Sequence, residues 1–208
     1  MSWMFFDDHQ AEVIREASAR LVPGPDDDVT ERGHPGAREA NVVGYIDRHL
    51  GGLDCNPPTL YAITWPPGGP QRFLQLTGAQ QHGWSKRLAE LGRVYRDGVR
   101  RLDAAHHRGG FLGASVSRRD AILSRPELLD FRSTLFAHTV EGMYSHPAYG
   151  GNDGAICWQD IAYAVPTSLS AVADPAAVTP PDPAMVAMLE SALPLAIQLL
   201  LDRDHADG

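Results

Sequence analysis

The stretch Trp84-Ser85-Lys86-Arg87-Leu88-Ala89-Glu90-Leu91-Gly92-Arg93-Val94-Tyr95-Arg96-Asp97-Gly98-Val99-Arg100-Arg101-Leu102 decides the fold class. Within it Trp84, Leu88, Leu91, Tyr95, Val99 and Leu102 return at three- and four-residue steps, the spacing that gathers side chains on one face of an α-helix. A half-buried strand would alternate by two, and this run does not. The pattern predicts the longest helix of the chain, over about 71–107, with Trp84 and Tyr95 in the core and Gly109-Gly110 as its stop.

Helical signals continue on both sides. Asp7 or Asp8 caps a first helix that carries Val13, Ile14, Ala17 and Leu21 on one face, and Pro23-Gly24-Pro25 ends it. His34-Pro35-Gly36 leads into a second helix with Ala40, Val43, Ile46 and Leu50 on its apolar stripe and Gly51-Gly52 at its end. Ser117 with Asp120 has the spacing of an N-terminal cap for a short helix, and Pro126 suits the first turn of the next, which runs to about Tyr144. The segment 157–165 fits either a short helix or an extended piece. A linker at 167–182 precedes a last helix over 183–203, bent at Pro194 and carrying Met185, Met188, Leu189, Leu193 and Ile197.

Between the second and third helices, 53–70 is rich in proline and yet contains Leu60, Tyr61, Ile63 and Trp65. Such an excursion either packs back on its own body or covers a partner. There is no internal repeat and no alternation of strands with helices. The expectation is one domain over 1–208, mainly α: a compact helical bundle with long irregular loops.

The formal net charge of -8, from 26 acidic and 18 basic residues, argues against broad nucleic-acid binding and against attraction to anionic lipid. The arginines Arg93, Arg96, Arg100 and Arg101 read as a solvated helix face. The longest apolar stretch, 192–201, is interrupted by Pro194 and Gln198 and is shorter than the ~20 residues a membrane-spanning helix needs. The first residues show no basic region, twin arginine or apolar stretch of a signal peptide. A cytoplasmic location is expected, or an extracytoplasmic one if the chain is exported together with a partner. Cys55 and Cys157 lack metal-binding spacing and read as free thiols, one disulfide being open to them in an oxidising compartment.

The run Glu141-Gly142-Met143-Tyr144-Ser145-His146-Pro147-Ala148-Tyr149-Gly150-Gly151-Asn152 joins a helix to a loop whose Pro, Gly and Asn residues specify its backbone. His138 and Glu141 share a helix face and His146 follows the helix end, so the three form the best candidate for a metal or proton-transfer site. They do not make an HExxH pattern. The competing reading has Glu141 and His146 holding the loop by hydrogen bonds. His106-His107 is adjacent in sequence and points in two directions, and Asp26-Asp27-Asp28 lacks the Gly and Glu of a calcium loop. No phosphate-binding loop, dinucleotide fingerprint or nucleophile elbow is present, so the chain is expected to hold no cofactor of its own.

Two sets of residues carry a family resemblance. Val22-Pro23-Gly24-Pro25-Asp26-Asp27, Gly36-Ala37-Arg38-Glu39-Ala40 and Tyr45-Ile46-Asp47 form the first, and Glu141-Gly142, Ser145-His146-Pro147, Tyr149-Gly150-Gly151-Asn152 and Trp158 the second. In order and separation they resemble the two signatures of the gluconate 2-dehydrogenase small (third) subunit family, over 10–166. The resemblance implies a helical, non-catalytic accessory subunit. Its partner would be a large FAD-dependent oxidoreductase of the glucose-methanol-choline type that oxidises a sugar or alcohol, with a cytochrome c in some complexes. The small chain would stabilise the large one and assist its maturation.

Under that reading the motif residues Arg38, Glu39, Tyr144, Ser145, His146, Pro147, Tyr149, Gly150, Gly151, Asn152 and Trp158 build a docking surface, with the aromatic rings as anchors. Arg38 and Glu39 begin the second helix and either pair internally, fastening the two signatures, or reach a partner. After Asn152 the chain reads Asp153-Gly154-Ala155-Ile156-Cys157-Trp158, which differs from the family's common continuation. On that difference rests a second reading, a small stand-alone enzyme using Glu141, His146, Tyr149 and Asn152 in acid–base chemistry, or His138, Glu141 and His146 on a metal.

Overall fold

The first helix, α1 (Asp8–Leu21), starts where Asp7 forms a capping box with Gln10. The Asp7 carboxylate accepts from the Gln10 amide at 2.7 Å, and the Gln10 side chain accepts from the Asp7 amide at 3.3 Å. The computed structural model describes residues 3–53, 62–64, 71–73 and 76–163, the two short internal pieces as backbone only. The described elements belong to one compact unit, Met1–Val165. The linker and last helix expected at 167–182 and 183–203 lie outside the described residues, as does Cys55.

Next come α2 (Val42–Gly51), α3 (Gly78–Ala104), α4 (Val116–Leu123), α5 (Leu129–Tyr144) and the short α6 (Ile156–Asp160). Two three-residue strands, β1 (Ala62–Thr64) and β2 (Gln71–Phe73), pair antiparallel with Ile63 opposite Arg72. Among the described residues the architecture is thus six α-helices with one small hairpin ladder, the mainly α bundle expected. No helix among them is long and apolar enough to cross a membrane.

Three local expectations are corrected. The long helix begins at Gly78 rather than near Gln71, because Thr77 and Gln80 form a second capping box and residues 71–73 are spent on the ladder. Ser115, not Ser117, stands at the N-terminus of α4, and Asp120 turns to Arg20 instead of capping, accepting at 2.7 and 3.0 Å. Trp84 is half-buried at the edge of the bundle with the Arg87 guanidinium 5.6 Å above its ring, whereas Tyr95 is fully enclosed as expected.

The core is built by Val13, Ile14 and Ala17 of α1, Val42, Val43, Ile46 and Leu50 of α2, Tyr95, Val99 and Leu102 of α3, and Phe131 and Leu135 of α5. α2 lies against both α1 and α5. The entry of the chain is fixed by the buried Asp47 carboxylate, which accepts from the amides of Met4, Phe5 and Phe6 at 2.8–3.0 Å. Three charge-assisted bonds offset the cost of burying that carboxylate. The arginine run of α3 is dispersed among its own neighbours: Arg96 lies over Phe5, Arg100 pairs with Asp97, and Arg101 donates to the Glu127 carbonyl.

Candidate functional site

The segment from Ser145 to Trp158 is held by its own side chains. At the end of α5 the backbone extends at Ser145, and His146 opens a single turn, Pro147–Tyr149, by accepting the Ala148 amide on Nδ1 at 3.1 Å. Gly150 then takes a positive φ of 97°, a conformation that favours glycine, and a Cβ there would stand 2.7 Å from the Arg48 side chain. Asn152 is fully buried. Its amide nitrogen donates to the Ser145 carbonyl at 3.1 Å and its oxygen accepts from the Cys157 amide at 3.0 Å, closing both ends of the loop at one residue. Trp158 closes it again by donating from Nε1 to the Tyr144 carbonyl at 2.9 Å, with its ring edge-on to His146.

α2 is the platform beneath. Asn41, in the left-handed conformation just before the helix, donates to the Gly150 carbonyl at 3.1 Å, and Arg48 donates to the Ala148 carbonyl at 3.3 Å. Gly151 fits because it has no side chain: a Cβ would meet the Gly142 carbonyl oxygen at 2.3 Å. Tyr45 donates its hydroxyl to Glu141 at 3.2 Å, and burial together with that carboxylate pushes its ionisation well above the ordinary phenol range. His34 meets Asp160 of α6 at 3.0 Å, tying the segment before α2 to α6.

Arg38 and Glu39 lie in the turn that precedes α2, not in the helix, because the helix can start only after Asn41. Arg38 pairs with Asp27 at 2.9 Å and Glu16 at 2.8 Å, and Glu16 also pairs with Arg119. The fastening is therefore internal to the first signature and α1. It does not reach the second signature, to which Tyr45, Asn41 and Arg48 bond instead. Asp27, mainly through its hydrogen bond, raises the Arg38 pKa further above its ordinary value, so the cation is permanent. Glu39 accepts the Gly36 amide at 2.8 Å with one oxygen, while the other is buried and has no hydrogen-bond partner.

A second cluster lies between α2, α3 and α5. His49 of α2 and His138 of α5 face each other with ring centroids 5.4 Å apart. Tyr45 stacks on His49 and Tyr95 on His138, and the Tyr95 hydroxyl is 2.9 Å from His138 Nδ1. His49 Nε2 is buried and has no hydrogen-bond partner among the described residues. Burial is the chief cause that lowers both imidazoles, His49 to about 4, with His138 and Arg87 adding repulsion and Glu141 opposing it. Burial likewise pushes the free Cys157 thiol up to about 11, which favours the neutral thiol near neutral pH.

The structure thus brings Glu141, Tyr144, His146, Tyr149, Asn152 and Trp158 to one end of α5 but gives several of them structural tasks. Glu141 serves Tyr45, His146 serves Ala148, and both polar atoms of Asn152 are taken by the loop backbone. His138 turns inward to Tyr95. Among the described residues no group of three or more His, Cys, Asp or Glu side chains is placed to hold a metal. An open cleft of about 440 Å³ lies elsewhere, lined by His9, Asp103, His106, His107, Gly109 and Gly110. Residues overlooked in the sequence are Asn41, Arg48 and His49. An Asn ahead of a helix is a visible signal, whereas the long-range partners of Arg48 and His49 have none.

The loop and its platform fall inside the region matched by a family model described as gluconate 2-dehydrogenase subunit 3, residues 8–164. The chain belongs to the gluconate 2-dehydrogenase subunit 3 family. No curated protein and no solved structure matches it. The match runs from the start of α1 past the end of α6, so both signatures and the histidine cluster are parts of the family region.

Proposed function

We propose that this chain is a non-catalytic accessory subunit that binds and stabilises an FAD-dependent sugar or alcohol dehydrogenase of the glucose-methanol-choline type. The partner holds the FAD and performs the oxidation, and a cytochrome c is an optional third member. Membership of the subunit 3 family supports an accessory role.

The observation that carries the reading is the outer face of α5. Phe136, Val140 and Tyr144 stand at four-residue steps and are 49%, 38% and 43% exposed. From Ser133 to Val140 the helix has no Asp, Glu, Lys or Arg. Ile161 and Tyr163, also exposed, follow α6, which Trp158 ties to the end of α5. An uncharged aromatic stripe beside a self-braced loop has the character of an interface core that needs little reorganisation to bind.

Phe136→Asp tests it. The side chain is half in water, so the fold tolerates the charge, and capture of the host's glucose-methanol-choline-type flavoprotein by the purified chain should weaken at least about tenfold. Unchanged capture with both Phe136→Asp and Val140→Asp, or substrate turnover by the isolated chain, would refute the reading.

A further inference from the structure

The His49–His138 pair sits between the two helices that carry and support the signature loop. His49 shares α2 with Tyr45 and Arg48, on which, with Asn41 just before the helix, the loop rests, and His138 shares α5 with Glu141 and Gly142, from which the loop departs. The groups facing the pair come from three helices. Tyr45 comes from α2, Trp84, Arg87 and Tyr95 from α3, and Glu141 from α5. Glu141 is the carboxylate facing the rings, and its Oε2 already accepts the Tyr45 hydroxyl.

We propose that this pair is an acid-sensitive latch: with both rings neutral it lets α2, α3 and α5 close behind the loop, and protonation parts those helices and loosens residues 145–158. Two imidazolium ions with ring centroids 5.4 Å apart repel each other in a site poor in water, and the Arg87 guanidinium adds to that repulsion. Neutral His138 with an unprotonated Nδ1 accepts a hydrogen bond from the Tyr95 hydroxyl, and a proton added at Nδ1 forces that hydroxyl to become the acceptor. A protonated His49 Nε2 is a buried cationic donor without a partner. The latch is a property of the chain itself and does not depend on what the α5 face binds.

The direction follows from linkage. Below about pH 6.5 the unfolded or opened chain takes up protons that the closed form refuses, so stability present above that pH is lost as pH falls towards about 4. Each ring kept neutral in the closed state makes the opening constant rise up to about tenfold per pH unit in that window.

The experiment is amide hydrogen exchange and urea unfolding of the full chain from pH 7.5 to 4. The expected result is faster opening of 145–158 and a falling urea midpoint as pH drops through this window. His49→Gln/His138→Gln should flatten both, whereas His107→Gln, an exposed site, should leave them as in the parent. A flat midpoint in the parent, or a double variant with the parent's pH dependence, overturns the latch. Should the double variant not fold, the imidazole C–H resonances of the parent decide: both rings must titrate clearly below the ordinary value near 6.5, and titration of either at or above it overturns the proposal.

Discussion

The two signature segments are fixed by opposite kinds of chemistry. Around Arg38 the chain is held by charge: Arg38 bridges Asp27 and Glu16, Glu16 also holds Arg119, and Arg20 pairs with Asp120. Around Asn152 it is held by neutral hydrogen bonds and close backbone contact, from Asn152 to Ser145 and Cys157, from Trp158 to Tyr144, and from Asn41 to Gly150. Ion pairs near the surface are weakened by salt, whereas a buried amide locked to backbone groups is not. The difference divides the labour: ion pairs join the first segment to α1 and α4, and the second rests mainly on bonds that salt does not weaken.

The comparison breaks most readily at Asn152. Asn152→Ala leaves the Cys157 amide and Ser145 carbonyl unpaired in a buried site, so stability should fall by about 3 kcal/mol. The loss, measured by urea unfolding, should be the same in low and in high salt. Arg38→Met removes one cation from a half-buried network that keeps Arg119 as compensation, with an expected loss of about 1.5 kcal/mol after allowance for solvent screening. This loss should shrink in high salt, and a salt-independent one would erase the distinction drawn between the segments. Trp158→Phe keeps the ring beside His146 but removes the bond to Tyr144, for about 1 kcal/mol, with faster amide exchange confined to the loop end.

The same contrast explains what could be read in the chain before its structure. The apolar stripes of α1, α2 and α3 follow from local spacing, and the loop was legible because its own bonds are local: Asn152 joins Ser145 and Cys157, and Trp158 returns to Tyr144. The start of α3 was misplaced because the spacing of apolar residues says nothing about where Thr77 and Gln80 cap, although Thr77-x-x-Gln80 is itself a sequence signal. Asp120 was misread for a different reason. Its partner Arg20 is far off in the chain, and a carboxylate at cap spacing looks the same whether it caps or pairs. The meeting of His49 with His138, and the service of Glu141 to Tyr45, likewise depend on how α2 lies against α5, which no local pattern reports.

That packing also gives the aromatic residues of the second signature two destinations. Trp158 and His146 brace the loop, while Tyr144 faces outward in line with Phe136 and Val140. Under the proposed accessory role the loop is the scaffold and the helix face beside it the contact surface. Of the motif residues set out as a docking surface, Gly151 and Asn152 are buried and shape that surface from beneath rather than meeting a partner.

The most direct test of the accessory-subunit account is purification of the chain from its own host under gentle conditions, followed by an absorbance spectrum of the eluted species and of the chain alone. The account predicts co-elution with a larger flavoprotein whose flavin bands are absent from the isolated chain. A tightly held chromophore in the isolated 208-residue chain, or oxidation of a sugar or alcohol by it without a second polypeptide, would contradict it.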